Sequence, residues 1–227
     1  MKQPLLFKLK RMNLSESSIH NELARGLHRM RIECTADQCA ALEAYVALLV
    51  KWNRVINLTA VRDPQEMVRR HILDSLAVHD YVDSNTLIDV GAGAGLPGIP
   101  LAILKPHMNV TLIDKVAKKT RFIQQAATEL NLPNVTALHS RVEEVEKQAE
   151  LVIARAFAAP EKFADLSRHL LVPGGRLLAM VGQMPDADDL EKIPGFLLIK
   201  TAKLTIPDET AARNIVILQR DPADART

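Results

Sequence analysis

Cysteine is nearly absent from this 227-residue chain. Its two cysteines, Cys34 and Cys39, are near neighbours on an expected helix. That excludes a disulfide framework and fits free thiols in a reducing compartment. No apolar run approaches the ~20 residues a membrane-spanning helix needs. The opening Met1-Lys2-Gln3-Pro4-Leu5-Leu6-Phe7 is too short an apolar patch for a signal peptide, and Lys8, Lys10 and Arg11 follow at once. The expectation is a cytoplasmic protein without membrane contact, with no metal site. Internal repeats and low-complexity tracts are missing as well. Apolar residues make up 48% and charged residues 25%, an ordinary globular composition. The length suits one full domain core plus an appendage.

One-sided charge is also lacking, since the formal net charge is only +2. Its distribution is uneven. Residues 1–31 hold Lys2, Lys8, Lys10, Arg11, Arg25, Arg29 and Arg31 against Glu16 and Glu22, a net +5. Such a stretch suits a phosphate backbone, and it equally suits a solvated tail and helix face.

What the chain does have is Leu87-Ile88-Asp89-Val90-Gly91-Ala92-Gly93-Ala94-Gly95-Leu96-Pro97-Gly98-Ile99-Pro100. An apolar run with the pattern of a buried strand breaks into glycines at every second position. Without a Cβ the backbone turns tightly, and a ligand can lie against it. Asp89 ahead of Gly-x-Gly-x-Gly is what a Rossmann-like S-adenosylmethionine-dependent methyltransferase presents. Gly93-x-Gly95-x-x-Gly98 also matches the dinucleotide fingerprint literally. In that fingerprint the first glycine closes the strand, a role that falls here to Gly91, two positions early. Pro97 and Pro100 stand where the phosphate-binding helix would begin.

Asn109-Val110-Thr111-Leu112-Ile113-Asp114 reads as the next strand, ending in a carboxylate 23 residues after Gly91. An acid at that tip suits ribose hydroxyls, in NAD and adenosylmethionine alike. Asp114 as the cap of a helix near Val116 is the competing reading, and the two are compatible. Upstream, Thr35-x-x-Gln38 resembles a capping box opening a helix through Leu42, Tyr45, Val46, Leu49 and Trp52. A helical stretch is expected near Glu16–Arg31. Asp63-Pro64-Gln65-Glu66 starts another, with Met67, His71, Ile72, Leu76 and Val78 on its apolar side. From Thr86 onward, strands are expected at 86–91, 109–114, 135–140, 151–156 and 175–182, with weaker ones near 197–206 and 214–220. Pro173-Gly174-Gly175 reads as a turn before the fifth. The alternation with helices predicts a doubly wound, mostly parallel seven-stranded sheet closed by a terminal hairpin. The division expected is a basic extension and helical cap over 1–84 and an α/β core over 85–227.

Several segments in register then carry a family resemblance. They are Lys51-Trp52-Asn53, Asn57-Leu58-Thr59, Arg69-Arg70-His71-Ile72-Leu73-Asp74-Ser75, the glycine loop, Ser140-Arg141-Val142-Glu143-Glu144, Arg155-Ala156-Phe157 and Gly182-Gln183-Met184-Pro185. Over roughly residues 35–220 the chain resembles the bacterial small-subunit ribosomal RNA methyltransferase G family, also called glucose-inhibited division protein B. The resemblance implies transfer of a methyl group from S-adenosylmethionine to N7 of a guanine in a decoding-region loop of 16S ribosomal RNA. It implies a class I methyltransferase fold and a partner that is 16S RNA or the small ribosomal subunit. It further implies that Gly91, Gly93, Gly95 and Leu96 line the cofactor, Asp114 holds the ribose, Val142 and Glu143 flank the adenine, and Arg155 sits by the methyl group and the incoming base. Arg69, Arg70 and Arg141 are the candidate RNA contacts. Ala92 and Val181 depart from the family pattern, which has commonly Ser or Thr and often Lys there. A monomer is expected.

Guanine N7 is a bare lone pair. It attacks a methyl carbon without losing a proton, so proximity and in-line orientation suffice. The fourth strand is followed by Ala154-Arg155-Ala156-Phe157-Ala158-Ala159-Pro160, not by the Asn-Pro-Pro-Tyr-like segment that holds exocyclic amines. Both cysteines precede the core, which argues against a cysteine nucleophile. Other roles stay open at this level. Arg155 orients the guanine or its phosphate, or forms a salt bridge at a strand end. Phe157 stacks on a flipped base or packs in the core. Glu143 accepts from the adenine amine or caps a helix. His71 reads as a buried structural histidine, and Lys115, Lys118, Lys119 and Arg121 as a solvated helix face. Two other classes remain: an NAD-dependent Rossmann oxidoreductase, and a non-catalytic RNA-binding protein on the same fold.

Overall fold

The structure, a computed structural model, describes residues 18–223. The basic stretch 1–14 and Glu16 lie outside the described residues. Helix α1 covers residues 18–30. Helix α2 (Ala36–Ile56) opens on Thr35, whose Oγ1 accepts from Gln38 N while Gln38 Oε1 accepts from Thr35 N, so the capping box is real. Asp63 caps the next rod, where its Oδ1 accepts from Glu66 N and Pro64 takes the first helical position. That rod is α-helical over α3 (Pro64–Met67), π-helical over Val68–Leu73 and α-helical again over α4 (Asp74–Leu76). The wider π turn was not legible in the sequence. It lies across the stretch that carries Arg70, His71 and, one residue on, Asp74.

Seven strands follow: β1 (Thr86–Val90), β2 (Asn109–Asp114), β3 (Val135–His139), β4 (Ala149–Arg155), β5 (Leu171–Val181), β6 (Phe196–Lys203) and β7 (Asn214–Arg220). Their order in the sheet is β3-β2-β1-β4-β5-β7-β6. The first five pair in parallel, and β7 runs antiparallel between β5 and β6. The connecting helices are α5 (Gly98–Leu104), α6 (Ala117–Glu129), α7 (Pro160–Ser167) and α8 (Ala187–Glu191). This is the doubly wound α/β sheet that the alternation predicts. Two details correct the sequence reading. Pro173-Gly174-Gly175 does not precede β5 but bulges within it: the register jumps from Ala149↔Leu171 to Leu151↔Arg176, and Gly174 takes φ +75°. Pro97 and Pro100 do not block the helix after the glycine loop. Pro97 is the N-cap of α5 and Pro100 lies in its first turn, where a missing N–H costs nothing.

Strand alternation puts Leu87 of β1 in one apolar layer and Ile88 and Val90 in the other. The first layer also takes Leu42, Tyr45 and Leu49 of α2, Leu101 of α5 and Phe122 of α6. The second takes Phe163 of α7 and Leu190 of α8. Helices therefore cover both faces, and the carboxyl ends of β1, β2, β4 and β5 open at one edge. That edge is where open α/β sheets bind ligands. Among the described residues no helix is long and apolar enough to cross a membrane.

Candidate active site

β1 ends in a loop whose shape depends on residues without side chains. Gly91 takes φ +68°, and a Cβ there would meet the Phe157 ring at 2.7 Å. Gly93 takes φ +61°, but an added Cβ would find open space, with Gly91 O the nearest atom at 3.8 Å. So Gly91 is glycine partly because protein fills the space, and Gly93 sits where a ligand can approach the backbone. Two buried groups hold the loop from beneath. The Tyr45 hydroxyl of α2 donates to Ala94 O. Asp89, fully buried on β1, accepts from Gly98 N at 2.8 Å through Oδ2, while its Oδ1 has no partner. Burial pushes the Asp89 carboxyl up to about 7.

Two cavities meet at this loop, and Gly91 and Ala156 line both. The larger, about 670 Å³, is bordered by Asp114, Arg141, Val142, Glu143 and Phe157. Asp114 is nearly buried, accepting from Gly93 N at 2.9 Å and Val116 N at 2.8 Å, with Lys119 Nζ at 3.7 Å. One carboxylate thus ties the glycine loop to the start of α6. The short 3₁₀ turn Val142–Glu144 is braced by Glu144, whose Oε2 accepts from Ser140 Oγ and Arg141 N. Glu143 has no protein partner among the described residues and faces solvent at the cavity wall. Lys115 and Lys119 border the same cavity, so half of the expected solvated face is cleft wall instead. Phe157 is 37% exposed, with its ring edge-on to Phe163 at 5.8 Å, and so is only partly packed.

The second cavity, about 480 Å³, lies beyond Gly91 and is bordered by Thr59, Arg70, His71, Asp74, Leu96, Arg155 and Arg213. His71 is buried. A carbonyl, Arg70 O, lies 2.9 Å from its Nδ1, which must therefore carry the proton, so its Nε2 accepts from Thr59 Oγ1 at 2.8 Å. Burial, then the Arg155 guanidinium, lower its pKa to about 4. Asp74, also buried, receives Arg155 Nη1 on Oδ2 at 2.7 Å and Arg213 Nε on Oδ1 at 2.8 Å. Arg155 Nη1 also donates to Arg70 O at 3.2 Å. Arg155 therefore forms the strand-end salt bridge and borders the cleft at once.

Of the sequence-derived site residues, Gly91, Gly93, Leu96, Asp114, Arg141, Val142, Glu143, Arg155 and Arg70 border these two joined cavities. Gly95 lies beneath the loop, where an added Cβ would strike Ile99 at 2.7 Å. Arg69 borders neither cavity and pairs with Glu22 of α1 at 3.2 Å. Sequence reading missed Asp74, Arg213 and the supporting Tyr45. Asp74 had a signal: it follows Met67 and His71 along the apolar side of its rod, where a carboxylate needs a cation. Arg213 had none, because its contact to Asp74 spans 139 residues.

A family model described as rRNA small subunit methyltransferase G matches residues 38–216. A Ribosomal RNA small subunit methyltransferase G of Pseudomonas putida is 46% identical over 204 residues, covering 88% of this chain and 94% of that one. A protein of the same name from Methylobacillus flagellatus is 45% identical, covering 88% and 98%. Among solved structures, the magnesium protoporphyrin IX methyltransferase of Synechocystis with bound SAM superposes with a TM-score of 0.53 at 18% identity, covering 78% and 97%. A SAM-dependent methyltransferase of Aquifex aeolicus gives 0.51 at 15% identity, covering 68% and 93%. At these identities the solved structures match this chain in fold.

Proposed function

The chain belongs to the ribosomal RNA small subunit methyltransferase G family, and from that membership we propose that it transfers a methyl group from S-adenosylmethionine to N7 of a guanine in 16S ribosomal RNA. The cofactor supplies an electrophilic methyl on a sulfonium. The residues present fit it. Asp114 stands at the tip of β2 for the ribose, Val142 and Glu143 wall the adenine side, and the open face of Gly93 admits the amino-acid end against backbone. The base enters the second cavity, and Gly91 and Ala156 border the opening between them.

One observation carries the choice of nucleophile. The two titratable acceptors that border the reacting cavity, His71 and Asp74, are already engaged. Both nitrogens of His71 are hydrogen-bonded, and both oxygens of Asp74 hold a guanidinium. A nucleophile that must be deprotonated would find here only acceptors already committed to protein groups. Guanine N7 needs none, and its attack depends on being held in line with the methyl group. Arg155, fixed by Asp74 and Arg70 O, keeps Nε and Nη2 for the base edge or its phosphate. Arg70 and Arg141 lie at the walls for RNA phosphates.

Nucleoside mass analysis of 16S RNA from cells with and without the protein tests this. We expect 7-methylguanosine to disappear without the protein and return with it. Methylation at an exocyclic amine or a ribose hydroxyl would refute the assignment.

A further inference from the structure

The reacting cavity contains more positive charge than the protein itself neutralises. Three guanidiniums border it: Arg70, Arg155 and Arg213. Arg70 has its own partner in Glu209, at 3.7 Å. Arg155 and Arg213 share a single carboxylate, Asp74, and the neighbouring His71 is neutral. Among the residues that border the cavity, one cationic charge is left without a paired carboxylate, in a recess where the two arginine side chains are only 22% and 25% exposed. Excess charge in such a place calls for an anion.

Arg213 is held in position for that task. It sits at the mouth of the β6–β7 hairpin, where Leu204 N donates to Arg213 O at 2.7 Å. Its neighbour Asn214 donates from Nδ2 to Gly182 O at 2.8 Å, fixing the hairpin to the end of β5. The guanidinium spends Nε on Asp74 and Nη1 on Ala212 O, and Nη2 has no partner among the described residues. Arg155 likewise spends only Nη1. Two oriented guanidiniums with free N–H groups match the oxygens of a phosphate. The cofactor cannot supply the missing charge, because its sulfonium and ammonium outnumber its one carboxylate. The anion must arrive with the other substrate.

We infer that Arg213 is a substrate-binding residue which, with Arg155, takes a backbone phosphate of the RNA beside the target guanine. This rests on the RNA-methylating reading of the cleft. It also implies that RNA and cofactor favour each other's binding, since the phosphate offsets the positive charge that the sulfonium meets.

The test is Arg213→Gln in the full chain, assayed with the RNA that the wild type methylates. KM for RNA should rise by about tenfold or more, the loss of a charge-assisted contact. The slope of log affinity against log salt should become shallower by about 0.7, one phosphate's worth on single-stranded RNA. The affinity for S-adenosylhomocysteine alone should stay at the wild-type value. Arg213→Lys, which keeps the charge, should keep the salt slope, whereas a purely structural role would leave the slope at its wild-type value in Arg213→Gln as well. Unchanged KM and salt slope, or a loss confined to S-adenosylhomocysteine affinity, would overturn the inference. If Arg213→Gln does not fold, wild type against RNAs bearing single methylphosphonates near the guanine decides. One neutralised linkage should reproduce the rise in KM, and none doing so overturns the inference. A wild-type protein that transfers no methyl to RNA would overturn the underlying function itself, an outcome distinct from an active wild type indifferent to Arg213.

Discussion

His71 and Asp89 are both buried and titratable, and burial moves them in opposite directions, His71 down to about 4 and Asp89 up to about 7. Between pH 6.5 and about 4 the unfolded chain protonates its histidine while the folded one does not, so acidification drains stability, roughly 3 kcal/mol in full. Asp89 does the reverse: the folded state keeps its proton up to about 7 while the unfolded state releases it near 3.8, so stability falls as pH rises through that window. The two slopes oppose each other over most of the range. Asp89→Asn should therefore expose the His71 slope, its melting temperature climbing from pH 4 to 6.5 more steeply than wild type. His71→Gln should expose the opposite slope. Parallel melting profiles for all three proteins would show that neither group is coupled to folding. The same scale governs the cofactor. Asp114→Ala removes the acceptor for two backbone N–H groups and, in the proposed reading, for the ribose, and should weaken S-adenosylhomocysteine binding by about 1.5–3 kcal/mol in calorimetry. Gly93→Val should abolish binding, and it should also lower stability, because a β-branched side chain is strained at φ +61° even where its Cβ meets no clash. Wild-type affinity in both variants would place the cofactor elsewhere. Gly93 and Asp114 could be singled out in the sequence because a glycine loop and a strand-tip acid are local patterns, whereas Glu143 rested on the family resemblance. Asp74 was visible only as part of a motif, and Arg213 not at all, because a salt bridge closes only when distant elements meet.

At the scale of elements, the sequence spoke most clearly where hydrogen bonding is local. The capping box at Thr35 and the side chain of Asp63 each satisfy orphan N–H groups within four residues, and both helices begin where those signals say. The bulge in β5 was hidden because Pro173-Gly174-Gly175 has turn chemistry whether the strand stops or merely swells. The insertion of β7 between β5 and β6 was hidden because a hairpin's register does not say which of its strands meets the sheet. The role of α2 was hidden too, although its apolar stripe was plain. Through Tyr45 it reaches under the sheet edge to Ala94 O, linking a helix outside the α/β alternation to the cofactor loop. Tyr45→Phe should leave that carbonyl buried without its donor, at about 1–3 kcal/mol of stability. It should also weaken S-adenosylhomocysteine binding, because the loop loses its brace. If the variant melts lower but binds the cofactor with full affinity, α2 supports the core and not the site.

Across the whole molecule, the positive charge of the first 31 residues divides into two parts. Arg25 and Arg29 of α1 are drawn into ion pairs with Glu22 and Asp208, and Glu22 also pairs with Arg69. Those charges tie α1 to the β6–β7 connection and to the helical rod, and they leave little for an external phosphate. The footprint read from the sequence therefore shrinks to Lys2, Lys8, Lys10, Arg11 and Arg31. Deleting residues 1–14 should leave the melting temperature and S-adenosylhomocysteine affinity at wild-type values. Methylation should persist at the same guanine, because orientation is set by Arg155 and the walls of the cleft, while phosphate contacts carry no base identity. RNA affinity should fall, and the salt slope should become shallower by up to about 3, four phosphates' worth on single-stranded RNA. This loss should add to that of Arg213→Gln, since the two would neutralise different phosphates. An unchanged salt slope in the deletion would make the extension a bystander. A shift in the methylated nucleotide would mean that the extension, and not the cleft, chooses the base.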